Sequence, residues 1–267
     1  MANWVICPFI DNWAMTENAI ADALDQDIGD IQVLAIAQGY SDETRRLAET
    51  FAEGKPNLHF WWFSPALMSL SAVWNRALSM VWLTGATEAL VINNDTRLKP
   101  NTYMRLRVEL VGGAALFVSG VGVIEDQFKG SAPTANDSRG GPDFSCFCIS
   151  RECHEKFPFD EAFIPCYTED CSLHREIMLA GEGQRIYSID VPYWHVDGGS
   201  GTLKSMNPER RATVERAIEL GSRAHYARKW GGPVGAEKFA APFDGIEVTG
   251  ITNPELFDRV RQGWQKK

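Results

Sequence analysis

The sequence predicts an α/β fold with a mostly parallel central sheet flanked by helices, and three observations carry that prediction. Four apolar runs of strand length, WVICPF (Trp4 to Phe9), IQVLAIA (Ile31 to Ala37), LHFWWF (Leu58 to Phe63) and TEALVIN (Thr87 to Asn93), are separated by helical patterns. The runs are continuously apolar rather than alternating, as strands covered on both faces are. Each gap is long enough for the helical crossover that parallel neighbours require.

In chain order, Thr16 is expected to cap a helix from Glu17 to about Asp25. Ser41, with Asp42 and Glu43 in the first turn, caps one that stops at Gly54. Ala72 to Leu83 reads as helix, as does the span from about Asn101 to Val111. Ala114 to Ile124 is a further strand or pair of strands, Glu125 to Pro142 a mobile loop rich in Gly, Ser, Asp and Asn, and Phe144 to Ser150 an alternating strand. A loop of that length inside a compact domain is usually functional or disordered. Thr168 opens a helix running through Leu173 and Ile177 to Gly181, and Arg185 to Val191 is a last strand, followed by PYWHVDGGSG. Asn207 and Pro208 form a cap and first-turn pair for a long helix ending near Trp230 and Gly231, and a short helix is expected near Pro254 to Trp264. No internal repeat or low-complexity linker interrupts the chain. The expected division is one domain over residues 1–204 with a helical extension, 205–267, packed on it.

With 267 residues, 45% of them hydrophobic, the chain can bury a substantial core. Its net charge of -9 argues against a general electrostatic pull toward duplex nucleic acid or an anionic membrane. No apolar stretch approaches the ~18 residues that span a bilayer, and no basic region precedes the short apolar run at the N-terminus. The chain therefore reads as soluble and cytoplasmic. Six cysteines, Cys7, Cys146, Cys148, Cys153, Cys166 and Cys171, lack a paired C-x-x-C spacing, which favours small buried thiols over disulfides or a zinc cluster.

Three places carry candidate chemistry. LVINNDTRLKP (Leu90 to Pro100) breaks from an apolar strand into Asn93, Asn94 and Asp95, and the end of a strand is where an open α/β sheet forms its ligand crevice. Asx residues there also make ordinary turns. The second is Thr168-Glu169-Asp170 at a helix start, where acids favour the helix dipole and where a carboxylate kept ionised by it is ready to accept a proton. The third is Trp194-His195-Val196-Asp197 after the last strand, ahead of Gly198, Gly199, Ser200 and Gly201, whose backbone allows close approach of phosphate. Neutral imidazole also suits a metal.

The order of these motifs resembles a family 2 glycosyltransferase of the GT-A fold, and more closely its rhamnosyltransferase-like branch with an N-x-D triplet. The resemblance runs from about residue 4 to 200. It rests on Val5-Ile6-Cys7-Pro8, Asn75-Arg76-Ala77, Asn93-Asn94-Asp95-Thr96 with Pro100, Ser150-Arg151 with Phe157-Pro158-Phe159-Asp160-Glu161, Thr168-Glu169-Asp170, Ala180-Gly181 and His195. The resemblance implies an inverting transfer of a sugar from a nucleoside-diphosphate sugar to an acceptor hydroxyl. It implies Asp95, beside Asn93, as ligand of Mn2+ or Mg2+, His195 as a further metal or diphosphate contact, and Asp170 as general base next to Glu169. Pro8, Gln38, Asn75, Arg76, Asn93 and Asn94 would face the donor, and Asp160, Glu161 and Trp194 the acceptor. Asp160 and Glu161 would serve equally well to cap the following segment. The acceptor class stays open among protein, glycan, small molecule and modified nucleic acid.

The chain departs from the family pattern in three places. Ala37-Gln38-Gly39 replaces the usual acid after the second strand, Ser172 a later acid, and Glu176 an arginine. The substitutions at Ala37 and Glu176 motivate an alternative, a non-catalytic nucleotide-sugar or glycan-binding module of the same fold, which the retained Asp95, Asp170 and His195 oppose. A nucleotidyltransferase is disfavoured because Phe9 to Asn18 lacks a glycine-rich phosphate loop. At the end of the long helix, Arg228 and Lys229 either answer the helix dipole or fold back toward the donor phosphates.

Overall fold

The computed structural model describes residues 2–63, 68–130, 142–196 and 201–248. The first half is the predicted alternation: β1 (Asn3–Phe9), α1 (Trp13–Leu24), β2 (Ile31–Gln38), α2 (Asp42–Ala52), β3 (Leu58–Phe63), α3 (Leu70–Leu83) and β4 (Glu88–Ile92). There follow β5 (Thr96–Arg97), α4 (Thr102–Leu110), β6 (Phe117–Val123), α5 (Glu125–Lys129), β7 (Cys146–Ser150), α6 (Arg151–Lys156), α7 (Glu169–Leu179) and β8 (Ile186–His195). The chain continues with α8 (Gly201–Lys204), α9 (Pro208–Ile218) and α10 (Ala224–Trp230). A π-helical turn, Glu219–Arg223, joins the last two, so the single long helix predicted there is widened by one turn in its middle. The short helix expected near Pro254 to Trp264 lies outside the described residues.

Eight strands form one sheet in the order β3-β2-β1-β4-β7-β6-β8-β5. The pairings β1 with β2, β2 with β3, β1 with β4 and β6 with β8 are parallel. β7 runs antiparallel to both β4 and β6, and β5 antiparallel to the end of β8. The consequence is directional. β8 points the same way as β4, and β7 starts where β4 ends, so residues after β4, after β8 and before β7 share one edge.

Both faces of the sheet are covered, which is why its strands read as unbroken apolar runs. Val5 and Cys7 of β1, Leu90 and Ile92 of β4 and Cys146 and Cys148 of β7 pack against α1, α2 and α4. Their strand neighbours Ile6, Val91, Phe147 and Ile149 pack against α3, α6 and α7 through Trp74, Cys153 and Ile177. The thiols of Cys7, Cys146, Cys148 and Cys153 are thus core groups, and burial pushes the Cys153 thiol up to about 12. None of the six cysteines is disulfide-bonded.

Local chemistry explains most boundaries. Ser41, Ser69 and Asn207 each accept a hydrogen bond from a first-turn amide and start α2, α3 and α9. Thr16 does not start α1. The helix begins at Trp13, four residues before the expected Glu17, because Trp13 is itself a core residue, and the Thr16 hydroxyl bonds back to the Asn12 carbonyl at 2.7 Å. The last strand is longer than predicted: β8 continues through Pro192 to His195. Proline is tolerated there because its pairing with β6 shifts register between Ser119, which pairs with Ser188, and Val121, which pairs with Pro192. Gly120 at that shift has no room for a side chain, since a Cβ would lie 2.6 Å from the Val191 carbonyl oxygen. The segment predicted as a mobile loop begins instead with α5, and residues 131–141 lie outside the described set.

One polar contact fixes the sheet edge to the first helix. Asp22 of α1 receives a forked pair of bonds from Arg97 of β5, at 2.6 and 3.0 Å, and a third from the Leu98 amide at 2.9 Å. Asp22→Ala strips three donors of their acceptor. It should lower the unfolding free energy in urea by about 1–3 kcal/mol with an unchanged m-value.

Candidate active site

A cavity of about 380 Å³ opens at the shared edge. Its walls come from the ends of β1 (Pro8, Phe9), β2 (Gln38) and β4 (Asn93, Asn94, Asp95), the lead into β7 (Asp143, Phe144, Ser145), the end of β8 (His195), the start of α7 (Glu169, Asp170) and the helices that follow β8 (Thr202, Leu203, Met206, Val214). This is the crevice outside the strand ends expected of an open α/β sheet.

Asp95 is the most committed group in it. The side chain is buried, Oδ2 accepts the Gly201 amide at 2.9 Å, and Oδ1 stands 3.2 Å from His195 Nε2. The two residues are brought together by β5, whose Thr96 pairs directly with His195. Burial lowers the His195 pKa, but the bond and charge of Asp95, with the charge of Asp143, outweigh it and the ring is shifted upward. Gly201 sits so close that a Cβ would meet Asp95 Cβ at 3.1 Å. The rest of the predicted glycine run, with Asp197, lies outside the described residues.

The asparagines of the triplet divide their work. Asn94 is a brace: its amide donates to Thr16 at 3.0 Å and its carbonyl accepts from Thr202 at 3.0 Å, joining α1 to α8. Asn93 hands its backbone to Ser145 and Thr96, which leaves its side chain on the cavity wall. Gln38 uses its side-chain oxygen to hold the Met68 amide at 2.9 Å.

Across the cavity stands the acid pair. Glu169 is buried and its Oε2 has no hydrogen-bond partner among the described residues. Burial and the neighbouring Asp170 push its carboxyl well above the usual range. Asp170 accepts the Cys171 amide at 2.7 Å, yet burial is the stronger influence, and with the charge of Asp143 it moves the Asp170 pKa upward. This corrects the expectation that the helix dipole alone keeps the pair ionised; desolvation wins here. Thr168 does not cap α7 either. It and Tyr167 are left-handed, at φ 66° and 76°, a conformation costing about 1–3 kcal/mol per non-glycine residue, and the single Thr168 hydroxyl proton faces the Tyr167 carbonyl at 2.6 Å and the Ser222 carbonyl at 3.3 Å instead.

Asp143 is the wall residue that sequence reasoning passed over. It follows a Gly- and Ser-rich loop and precedes a strand, a position with no local signal of function. Only the antiparallel direction of β7 brings it beside the end of β4, where the Asn93 amide bonds the Ser145 carbonyl at 2.9 Å.

Five residues predicted for the site are placed elsewhere. Asn75 is engaged with the loop after α6, donating to the Phe159 carbonyl at 2.7 Å and Glu161 at 3.1 Å and accepting the Phe159 amide at 3.0 Å. Arg76 and Glu161 are exposed and away from the cavity wall. Trp194 alternates with His195 along β8 and so faces the other way. Asp160 holds Lys229 at 2.7 Å and His225 at 3.0 Å, while Lys229 also meets Glu176 at 2.7 Å. Lys229 therefore ties the tail helix to both sides of the acid pair rather than reaching for phosphate.

Whether these residues suit a divalent cation can be tested on geometry. Bonds of about 2.1 Å in an octahedral shell put neighbouring ligands about 3.0 Å apart, and Asp95 Oδ1 and His195 Nε2 are separated by 3.2 Å. The oxygen and imidazole donors fit such an ion as two adjacent ligands. The described residues hold no preassembled group of three ligands. The described wall carries four carboxylates, Asp95, Asp143, Glu169 and Asp170, and no Lys or Arg.

No protein-family model matches the sequence, and no curated protein does. The architecture is nevertheless that of the GT-A glycosyltransferases, a mixed α/β sheet flanked by helices. The chain is similar to a mannosyltransferase from Pyrobaculum calidifontis solved in complex with GDP-Man and Mn2+, with 16% identity and a TM-score of 0.59 over 97% of this chain and 68% of that one. It is similar to glucosyl-3-phosphoglycerate synthase from Mycobacterium tuberculosis, with 14% identity and a TM-score of 0.57 over 88% and 81% of the two chains. It also matches S. aureus TarS at 14% identity and a TM-score of 0.55, covering 82% of this chain but only 43% of TarS. At these identities the likeness is one of fold. No helix among the described residues is long and apolar enough to cross a membrane.

The Asp160 cluster has a pH signature. Burial raises the Asp160 pKa, but His225 and Lys229 together outweigh that and hold it well below its ordinary 3.8. A depressed carboxylate contributes stability that is present above its unfolded pKa and is lost as the pH falls toward its folded value. Asp160→Asn should therefore cost about 1–3 kcal/mol at pH 7, with the gap to wild type in urea unfolding narrowing below about pH 4.

Proposed function

We propose that the protein is an inverting glycosyltransferase that moves a sugar from a nucleoside-diphosphate sugar to an acceptor hydroxyl. The observation that carries this reading is the meeting of Asp95 and His195 on one side of a single cavity with Asp170 on the other. The solved structures of similar fold contain GDP-Man with Mn2+, UDP-GlcNAc, or UDP with Mn2+, which agrees with a nucleotide-sugar donor here. The Asn93-x-Asp95 spacing supports the rhamnosyltransferase-like branch, with residues 1–204 as the transferase domain and 205–267 as its helical extension.

Asp95 and His195 would hold the cation, and the imidazole in that set favours Mn2+ over Mg2+. When bound, such an ion supplies positive charge for the departing diphosphate, which the acidic wall does not. Asp170 accepts the proton of the acceptor hydroxyl as its oxygen bonds the anomeric carbon. The bond from that carbon to phosphate breaks, and its electron pair leaves with the diphosphate. A single displacement inverts the sugar and needs no carboxylate nucleophile. The raised pKa of Asp170 makes it a stronger proton acceptor than a free aspartate. Glu169, whose Oε2 has no hydrogen-bond partner among the described residues, stands beside it and is placed to bond an acceptor hydroxyl. The apolar wall of Trp74, Phe144, Leu203 and Met206 suits a substrate with a hydrophobic face.

Glu176, which stands where the family carries an arginine, is paired with Lys229 at 2.7 Å, and the retained Asp95, Asp170 and His195 oppose the non-catalytic alternative. Asp170→Asn should abolish transfer from a nucleotide-sugar panel while donor binding by calorimetry stays within about twofold. The acid limb of wild-type kcat/KM should lie above the ordinary aspartate value of 3.8, because the base must be ionised and its pKa is raised. Undiminished turnover by the variant would remove Asp170 from the mechanism.

A further inference from the structure

The tail helix makes an unusual approach to the acid pair. Its π-helical turn, Glu219–Arg223, directs the Ser222 carbonyl to the Thr168 hydroxyl at 3.3 Å, and the same hydroxyl lies 2.6 Å from the Tyr167 carbonyl. Ser222 is fully buried, so this contact is shielded from water. On the other side of it, Tyr167 and Thr168 hold left-handed backbone, which non-glycine residues keep only where the surroundings enforce it. The enforcement comes from the tail: Lys229 grips Asp160 and Glu176, Trp230 Nε1 donates to Ser172 at 3.2 Å, and Phe163 packs with Tyr226 and Trp230. π turns inside helices often accompany functional sites, and this one abuts the residues immediately before Glu169 and Asp170.

We infer that Thr168 is a positioning residue, whose hydroxyl, seated on the π turn of the tail helix, fixes the left-handed turn that aims the Asp170 carboxylate into the cavity. The inference rests on the reading of Asp170 as the base. The helical extension is then part of the catalytic apparatus. Its π turn sets the angle of the base through Thr168, while Met206 and Val214 of the same extension line the cavity.

Three substitutions test this, with kcat, donor KM and thermal midpoint measured for each. Thr168→Val keeps shape and branching but loses the hydroxyl, and kcat should fall about tenfold to a hundredfold with donor KM and midpoint near wild type. Thr168→Ser keeps the hydroxyl and should restore kcat. Thr168→Gly relieves the left-handed strain, so its midpoint should hold or rise while kcat falls as in the valine variant. Wild-type kcat in Thr168→Val would overturn the inference, whatever Thr168→Gly shows. So would parallel losses of kcat and thermal midpoint in all three variants, since the residue would then be structural. Asp170→Asn, assayed alongside, separates the two claims. If it is inactive while Thr168→Val is fully active, only the positioning role fails; if it is active, the base and the positioning role fall together.

Discussion

The carboxylate of Asp95 is the joint on which this molecule depends. A buried carboxylate is costly unless its lone pairs are met, and here the Gly201 amide and His195 meet them from segments about a hundred residues further along the chain. The Asp95 carbonyl accepts the Val196 amide at 2.9 Å as well, so backbone and side chain together fasten the end of β8 to the end of β4. Asn94 adds the brace from α1 to α8. One turn after a central strand thereby closes the far half of the sheet and builds the wall of the cavity.

The opposite wall is assembled by charge as much as by packing. Lys229 is nearly fully buried and is tolerable there because Asp160 and Glu176 both reach it. Its two partners flank the acid pair in sequence, so the ion cluster and the Phe163, Tyr226 and Trp230 contact clamp the segment that presents Glu169 and Asp170. Inside the cavity the balance reverses. Burial first, and then the charge of Asp170 on Glu169 and of Asp143 on Asp170, raises both carboxyls of the acid pair, an arrangement that suits proton acceptance.

How much of this the sequence reveals follows from how local the cause is. The parallel half is legible because apolar runs, caps such as Ser41 and crossover lengths are all short-range signals, and Leu58–Phe63 is read to the residue. Asp95, Asp170 and His195 stand out because polar groups at strand and helix ends break a pattern. Asp143 does not, since its place depends on β7 running antiparallel, and nothing in Phe144 to Ser150 states a direction. Thr168 looks like an N-cap until its positive φ turns the hydroxyl toward the carbonyls of Tyr167 and Ser222. Asn75 and Asp160 carry motif-like spacing but are occupied by partners 84 and 69 residues away, a fact of tertiary packing.

The central claim is that the site contributes one carboxylate and one imidazole to a cation and relies on the donor diphosphate for the rest of its shell. Electron paramagnetic resonance of free Mn2+ tests this most directly, because bound Mn2+ leaves the sharp aqueous signal. With protein alone the signal should fall little, with UDP or GDP added it should fall much further than nucleotide alone causes, and Asp95→Asn should abolish that extra fall. Full loss of signal without nucleotide, or an unchanged response in the variant, would contradict the account.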